Sequence, residues 1–146
     1  MMNQRVISAL NNLVEVCKDG EQGFRTAANA LSNAELRRLF TMYAAERAQF
    51  AAELQSIVRQ LGGEPETSGS VAASLHRGWM NIKSAVARRN DRAVIAEAER
   101  GEDAAKQAYQ QALGENLPPD VRGIIDRQYA RVREAHDRVR TMERAA

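Results

Sequence analysis

Apolar residues recur every three or four positions along most of this chain, which is the spacing of one face of an α-helix. The first thirty residues show the pattern most clearly. Their stripe alternates steps of four and three and consists of Val6, Leu10, Leu13, Cys17, Gly20, Phe24, Ala27 and Leu31. No segment shows the strict apolar–polar alternation of a half-buried strand. The pattern therefore predicts an all-α fold.

Four long helices are predicted from such stripes and from the residues that flank them. The first three cover about 2–31, 32–61 and 91–115, and the fourth runs from the Pro118–Pro119 break to about 142. Ser32 and Glu35 have the spacing of a capping box, which predicts Ser32 as the N-cap of the second helix. The pair Gly62–Gly63 ends that helix, and Asn90 or Asp91 caps the third.

The connection between the second and third long helices is long enough to carry structure of its own. Residues 62–69 are rich in Gly, Pro and Ser and predict a loop. Apolar spacing predicts a shorter helix over about 70–88, with Val71, Leu75, Trp79, Ile82 and Val86 on one side. Two helical hairpins joined by a long crossover make a ferritin-like four-helix bundle. We therefore expect one domain over 1–146, with an extra shorter helix in the crossover between helices two and three.

Four glycines, Gly20, Gly23, Gly78 and Gly101, fall inside predicted helices. Each costs about 1 kcal/mol relative to alanine at such a position. We expect them to give clearance to a neighbouring helix or to a large ring, for which Trp79 is the obvious candidate. The alternative is that they leave room for a ligand.

Composition excludes several classes of protein. Charged residues make up 27% of the chain, hydrophobic residues 44%, and the net charge is only +2. These values are not those of a disordered tail or a disulfide scaffold. No apolar stretch approaches the ~20 residues that span a bilayer. The single cysteine, Cys17, cannot form an internal disulfide, so we expect a cytoplasmic protein without a membrane partner.

Nucleic acid is not an expected partner, although the last helix is rich in arginine. Its arginines are Arg122, Arg127, Arg131, Arg133, Arg138, Arg140 and Arg144. Acidic residues are interleaved with them: Asp120, Asp126, Glu134, Asp137 and Glu143. Interleaved charge is typical of a solvated helix face rather than of a phosphate-binding surface.

Polar residues interrupt the predicted inner stripes. Counting residues from the predicted turns places Glu21, Glu46, Glu102 and Gln128 at similar height on four different helices. His136 falls near the level of Glu99, and Glu53 lies about two turns away. Together these seven residues are the candidate metal ligands: Glu21, Glu46, Glu53, Glu99, Glu102, Gln128 and His136.

Di-iron and di-manganese sites are built from carboxylates that meet inside a helical bundle, so iron or manganese is the candidate cofactor. An arginine or lysine partner, or a shared proton, would compensate the same buried charges. In that alternative Glu46-Arg47, Glu53 and Arg100 form plain polar layers without a metal. The Glu-x-x-His pair of an ordinary di-iron site is absent: Gln49 stands three residues after Glu46, and Arg133 three before His136.

Three further residues have plain structural interpretations beside functional ones. Trp79 is predicted to anchor the core rather than to stack on a ligand. Cys17 is predicted to be a small buried hydrophobe rather than a reactive thiol. His76 could lie at the surface, could hydrogen-bond an inner carboxylate, or could bind a metal.

Several short motifs together resemble a known family. They are Asp19-Gly20…Gly23-Phe24, Glu46-Arg47, Glu53-Leu54, Gly62-Gly63, His76-Arg77-Gly78-Trp79, Glu99-Arg100-Gly101-Glu102-Asp103, Leu117-Pro118, Gln128 and His136-Asp137. The chain resembles an uncharacterised bacterial family of four-helix-bundle proteins in the ferritin-like superfamily, a domain of unknown function. The resemblance implies a ferritin-like bundle and no particular reaction. The metal ligands of ferritins are not carried over, because their Glu-x-x-His pattern is missing here.

Three functions are compatible with these sequence features. The first is a non-enzymatic bundle that acts through contacts with a protein partner or with itself, for instance as a homodimer, in a setting such as a stress response. The second is a divergent protein that binds or oxidises iron or manganese at the inner carboxylates. The third and most remote is a ferritin-like protein that protects DNA.

Overall fold

Over the residues that the structure describes, the chain forms four long helices and one short one. The computed structural model describes residues 2–67 and 78–145. The helices are α1 (Met2–Ala30), α2 (Ala34–Gln60), α3 (Ile82–Ala87), α4 (Asp91–Leu113) and α5 (Pro119–Ala145). All regular structure within the described residues is helical, which confirms the all-α prediction. None of these helices is long and apolar enough, over the described residues, to cross a membrane.

The turn between α1 and α2 is capped differently from the prediction. Asn33, not Ser32, is the N-cap of α2, and its side chain accepts a hydrogen bond from the Leu36 amide at 3.0 Å. Ser32 instead donates its backbone N–H and its hydroxyl to the carboxylate of Asp91, at 3.0 and 2.9 Å. Burial alone would raise the pKa of Asp91, but the hydrogen bonds from Ser32 and Asn33 outweigh burial and lower it. The turn is thereby tied to the first residue of α4.

The crossover departs from the predicted helix over 70–88. Residues 78–81 are not helical, and α3 begins only at Ile82. Gly78 has φ +73°, and a Cβ there would lie 2.5 Å from the Arg100 carbonyl oxygen. Only glycine combines this left-handed backbone with so close an approach to α4. The predicted positions Val71, Leu75 and His76 lie outside the described residues.

The ring of Trp79 is inserted between α1 and α4. A Cβ added to Gly23 on α1, or to Gly101 on α4, would overlap that ring. The ring is 2% exposed and meets Phe24 edge-on, with centroids 4.9 Å apart. The expectation that Trp79 anchors the core and occupies the clearance at these two glycines is confirmed.

The four long helices pack side by side around two apolar clusters. α1 lies against both α2 and α4, α4 lies against α5, and α2 approaches α5 at fewer points. The described parts of α2 and α4 do not pack directly on each other. One cluster includes Leu13, Leu54, Tyr109 and Ile125; the other includes Phe24, Phe40, Trp79, Ile95 and Val139. Buried polar side chains, among them Arg47, Glu102 and Gln128, lie between the two clusters, and we call this region the polar level.

Candidate functional site

An ion pair between Arg47 and Glu102 lies at the centre of the polar level. Two guanidinium nitrogens of Arg47 donate to the two carboxylate oxygens of Glu102, at 2.7 and 2.6 Å. The side chains are 1% and 0% exposed. They come from α2 and α4, so the pair joins two helices that do not otherwise pack together. A two-point contact of this kind fixes the relative height of the two helices.

The surroundings of Arg47 keep it charged. Burial alone would lower the pKa of Arg47, but the charge and hydrogen bonds of Glu102 outweigh burial and raise it. On the α1 side the guanidinium lies 5.4 Å from the centroid of the Phe24 ring, a cation–π distance. A Cβ at Gly20 would come within 3.2 Å of Arg47 Nη1. Gly20 therefore makes room for the arginine.

A chain of hydrogen bonds runs from the polar level toward solvent. Cys17 Sγ lies 3.2 Å from the Tyr109 hydroxyl, which donates to Gln128 Oε1 at 2.7 Å. Gln128 Nε2 in turn donates to Glu53 Oε1 at 2.8 Å. Burial raises the pKa of Cys17 to about 11 and also raises that of Tyr109. Both groups are therefore neutral at physiological pH. This series of hydrogen bonds gives buried polar atoms their partners.

Three further candidate carboxylates have cationic partners. Glu46 accepts from Arg131 at 2.8 and 3.0 Å, and Glu53 from Arg127 at 2.5 Å. Both pairs join α2 to α5. Glu21 stays within α1, at 3.2 Å from Arg25 and 3.6 Å from Lys18.

The remaining candidates, Glu99 and His136, lie where α4 faces α5. A hydrogen bond with Glu143 raises the pKa of Glu99, and partial burial and nearby negative charge add to that effect. His136 is buried, with Nε2 at 2.6 Å from Asp103 and Nδ1 at 3.0 Å from Asp137. His136 is thus enclosed by carboxylates from both helices.

These pairings bear on the predicted metal site. Both oxygens of Glu102 are already held by a buried guanidinium, and the Oε2 atoms of Glu46 and Glu53 each accept from a surface arginine. Within residues 2–67 and 78–145, no three His, Cys, Asp or Glu side chains are grouped so that they could hold a metal ion. An iron or manganese role for the seven candidates stays a prediction.

The sequence indicated Arg47 only as part of a possible polar layer and did not predict its pairing with Glu102. The predicted stripe on α2 passed through Glu46, whereas Arg47 is the buried residue of the two. Glu102, Gln128 and Cys17 are buried as predicted. The available signal was Gly20, because a glycine on the inner face of α1 leaves space for a long side chain from the neighbouring helix.

Comparison with known sequences adds a family and no activity. No curated protein matches the chain. The sequence profile of a family described as "Domain of unknown function (DUF2383)" matches residues 5–115. The matched range runs through α1, α2, α3 and α4. Because it covers most of the chain, including both residues of the central ion pair, this protein belongs to the DUF2383 family.

Proposed function

We propose that this protein is a non-catalytic, ferritin-like helical bundle of the bacterial cytoplasm that acts through its outer surface, by contact with protein. The ferritin-like connectivity is supported by which helices are neighbours. The hairpins α1–α2 and α4–α5 are joined by a crossover, and α1 lies beside α4. The cytoplasmic setting is supported by the lone cysteine, which is free and buried.

The observation that carries the proposal is the Arg47–Glu102 ion pair. Both partners are buried, and each neutralises the other. A metal bound to Glu102 would displace the guanidinium and leave a buried charge without a partner, at a cost of about 3–5 kcal/mol. The polar level is therefore best explained as part of the scaffold, which leaves the exposed surface as the place where function resides.

Metal binding is the alternative, and one feature favours it. Glu99 and Glu143 hydrogen-bond each other, and His136 and Asp103 pair beside them on the same two helices. A divalent ion that bound Glu99 and Glu143 would not have to displace the buried Arg47, and it would need further ligands from outside the described residues or from water.

Thermal unfolding in the presence of metal separates the two proposals. We expect the melting temperature to stay unchanged when iron(II), added without oxygen, or manganese(II) is present in excess. A metal that binds the folded protein at about 100 times its Kd would raise the melting temperature by roughly 10 °C. Such a rise, lost in Glu99→Gln or Glu46→Gln but kept in the exposed control Asp126→Asn, would contradict the scaffold proposal and identify the ligands.

A further inference from the structure

The outward face of α2 carries a regular stripe of exposed residues. The α2 stripe consists of Glu35, Arg38, Met42, Ala45, Gln49, Ala52, Ser56 and Arg59, and all eight are exposed. Their spacing alternates three and four residues, which keeps them on one side of the helix over about 36 Å. They lie opposite the buried face of α2, which includes Phe40, Arg47 and Leu54.

The chemistry of the α2 stripe is unusual for a solvated helix face. From Met42 to Ser56 it carries no charge, and most of its side chains are small. In a chain with 27% charged residues, a solvated helix face normally alternates charges. The outward face of α5 does so, with Asp126, Arg127, Arg133 and Glu134 all exposed. An uncharged heptad stripe of small residues lets another helix approach closely.

We infer that the α2 stripe binds the α2 stripe of a second copy of this chain, with the two helices antiparallel and a two-fold axis at the level of Arg47. In an antiparallel pair, the partner's stripe runs in the opposite direction, and the residues that then meet are complementary. Glu35 then faces the partner's Arg59, Met42 faces the partner's Ala52, and Ala45 faces the partner's Gln49. Each pair occurs twice, as an isologous interface requires. The end pairs are opposite in charge, and the inner pairs match a large side chain with a small one.

Charge also disfavours two alternative arrangements. Moving one helix along the other by about one turn brings Arg38 opposite the partner's Arg59, which places like charges together. A parallel arrangement places each end residue against its own copy, Glu35 on the partner's Glu35. Among these arrangements, the antiparallel one centred on Arg47 pairs opposite charges at both ends.

One end of the α2 stripe opens into an apolar groove that the second copy would cover. The groove has a volume of about 500 Å³ and lies between α2 and α5, beside Met42. Leu39 and Met142 form its apolar lining, and Met42 itself is 48% exposed. On the opposite side of the molecule, Trp79 and Ile82 of the crossover cover the junction of α1 and α4. A second copy would give the α2–α5 side an equivalent cover.

This inference rests on the proposed function, since it names the partner and the surface. Sedimentation equilibrium of the full chain tests it. We expect the wild type to be in a concentration-dependent monomer–dimer equilibrium. Ala45→Glu places two charges at the centre of the contact and should raise the dissociation constant about 30-fold or more. Ala130→Glu is the matched control, because Ala130 is an exposed alanine on α5, and it should leave the constant unchanged.

Two further variants test the register. Glu35→Arg should weaken the dimer, and Glu35→Arg combined with Arg59→Glu should restore it. Mixing Ala45→Cys protein with Gln49→Cys protein under oxidation should give a crosslinked dimer faster than either alone. Facing positions come within disulfide reach, whereas equal positions are offset along the axis.

A wild type that stays monomeric up to about 1 mM would overturn the inference, as would a dimer that Ala45→Glu leaves intact. These outcomes differ from failure of the proposed function. A monomer whose melting temperature ignores metal contradicts only the dimer. A metal-stabilised protein whose dimer is broken by Ala45→Glu contradicts only the scaffold proposal.

Discussion

At the scale of single residues, the Arg47–Glu102 pair is the feature that most constrains the fold. Its two charges are buried at the level between two apolar clusters, and each is stable there only because the other is present. We expect the pair to contribute less to net stability than to specificity, because apolar residues of similar size should be tolerated in its place. It sets which heights of α2 and α4 face each other.

Removing one charge of the pair should therefore lower the free energy of unfolding more than removing both. We expect Glu102→Gln to lower the free energy of unfolding by about 3–5 kcal/mol, since the buried guanidinium loses its counter-charge. The double variant Arg47→Met/Glu102→Leu should unfold with a free energy close to that of the wild type. Urea denaturation followed by circular dichroism measures both. Equal losses in the single and double variants would show that the ion pair is a net source of stability.

The Cys17 thiol should be inert in the folded protein. Its pKa of about 11 leaves roughly one molecule in a thousand as thiolate at pH 8, and the side chain is 1% exposed. We expect no reaction with a disulfide reagent until the chain is unfolded, whereas the exposed thiol of an Ala130→Cys variant on α5 should react at once. Comparable native rates for the two thiols would contradict the burial of Cys17.

The same pKa predicts how stability changes at alkaline pH. The unfolded thiol loses its proton near pH 9.0, below the folded value, so deprotonation favours the unfolded chain. We expect stability to fall between about pH 9 and 11, by up to about 3 kcal/mol. Cys17→Ala should flatten that slope, although Tyr109, whose pKa is also raised, contributes in the same direction. An unchanged slope in Cys17→Ala would assign the effect to Tyr109.

At the scale of helices, the Trp79 ring determines how α1 and α4 meet. The ring lies against two glycines, so the usual gain from replacing a helical glycine by alanine is reversed there. Gly123 on α5 is the matched control, because a Cβ at that position meets nothing within 4 Å.

We therefore expect opposite signs from the same substitution. Gly23→Ala and Gly101→Ala should each destabilise the protein by about 1–3 kcal/mol, because the new methyl group overlaps the ring. Gly123→Ala should stabilise it by about 0.5–1 kcal/mol. Thermal and urea denaturation measure all three. A stabilising Gly101→Ala would mean that the ring is not held between the two helices.

The helices also show which features the sequence could predict. Heptad spacing and the Pro118–Pro119 break placed the ends of the long helices within three residues of those observed. The crossover was harder, because the spacing around Trp79 is helical while Gly78 adopts a left-handed turn against α4. Periodicity shows which side chains are apolar. It does not show that the backbone at Gly78 must turn because it lies against α4.

The polar level was predicted in part for a related reason. A stripe drawn through apolar positions accommodates Glu46 or Arg47 equally well, since neither residue is apolar. Only the space at Gly20 and the carboxylate of Glu102 decide that Arg47 is the buried one. Residues whose burial depends on a specific partner across the bundle cannot be assigned from one helix alone.

At the scale of the whole molecule, the polar residues inside the bundle are paired with protein groups, and the uncharged surface lies outside on α2. The described inner carboxylates hold helices together through Arg47, Arg127 and Arg131. The outward stripe of α2 offers a second copy a surface with few charges. This division assigns structure to the interior and interaction to the exterior.

The most direct test of that division is the metal content of untagged protein purified without chelator, measured by elemental mass spectrometry. A protein whose inner carboxylates are held by arginines should contain well below one iron, manganese or zinc ion per chain. One or two such ions per chain, lost in the Glu46→Ala/Glu102→Ala variant while the helical content is kept, would contradict it. The polar level would then be a metal site.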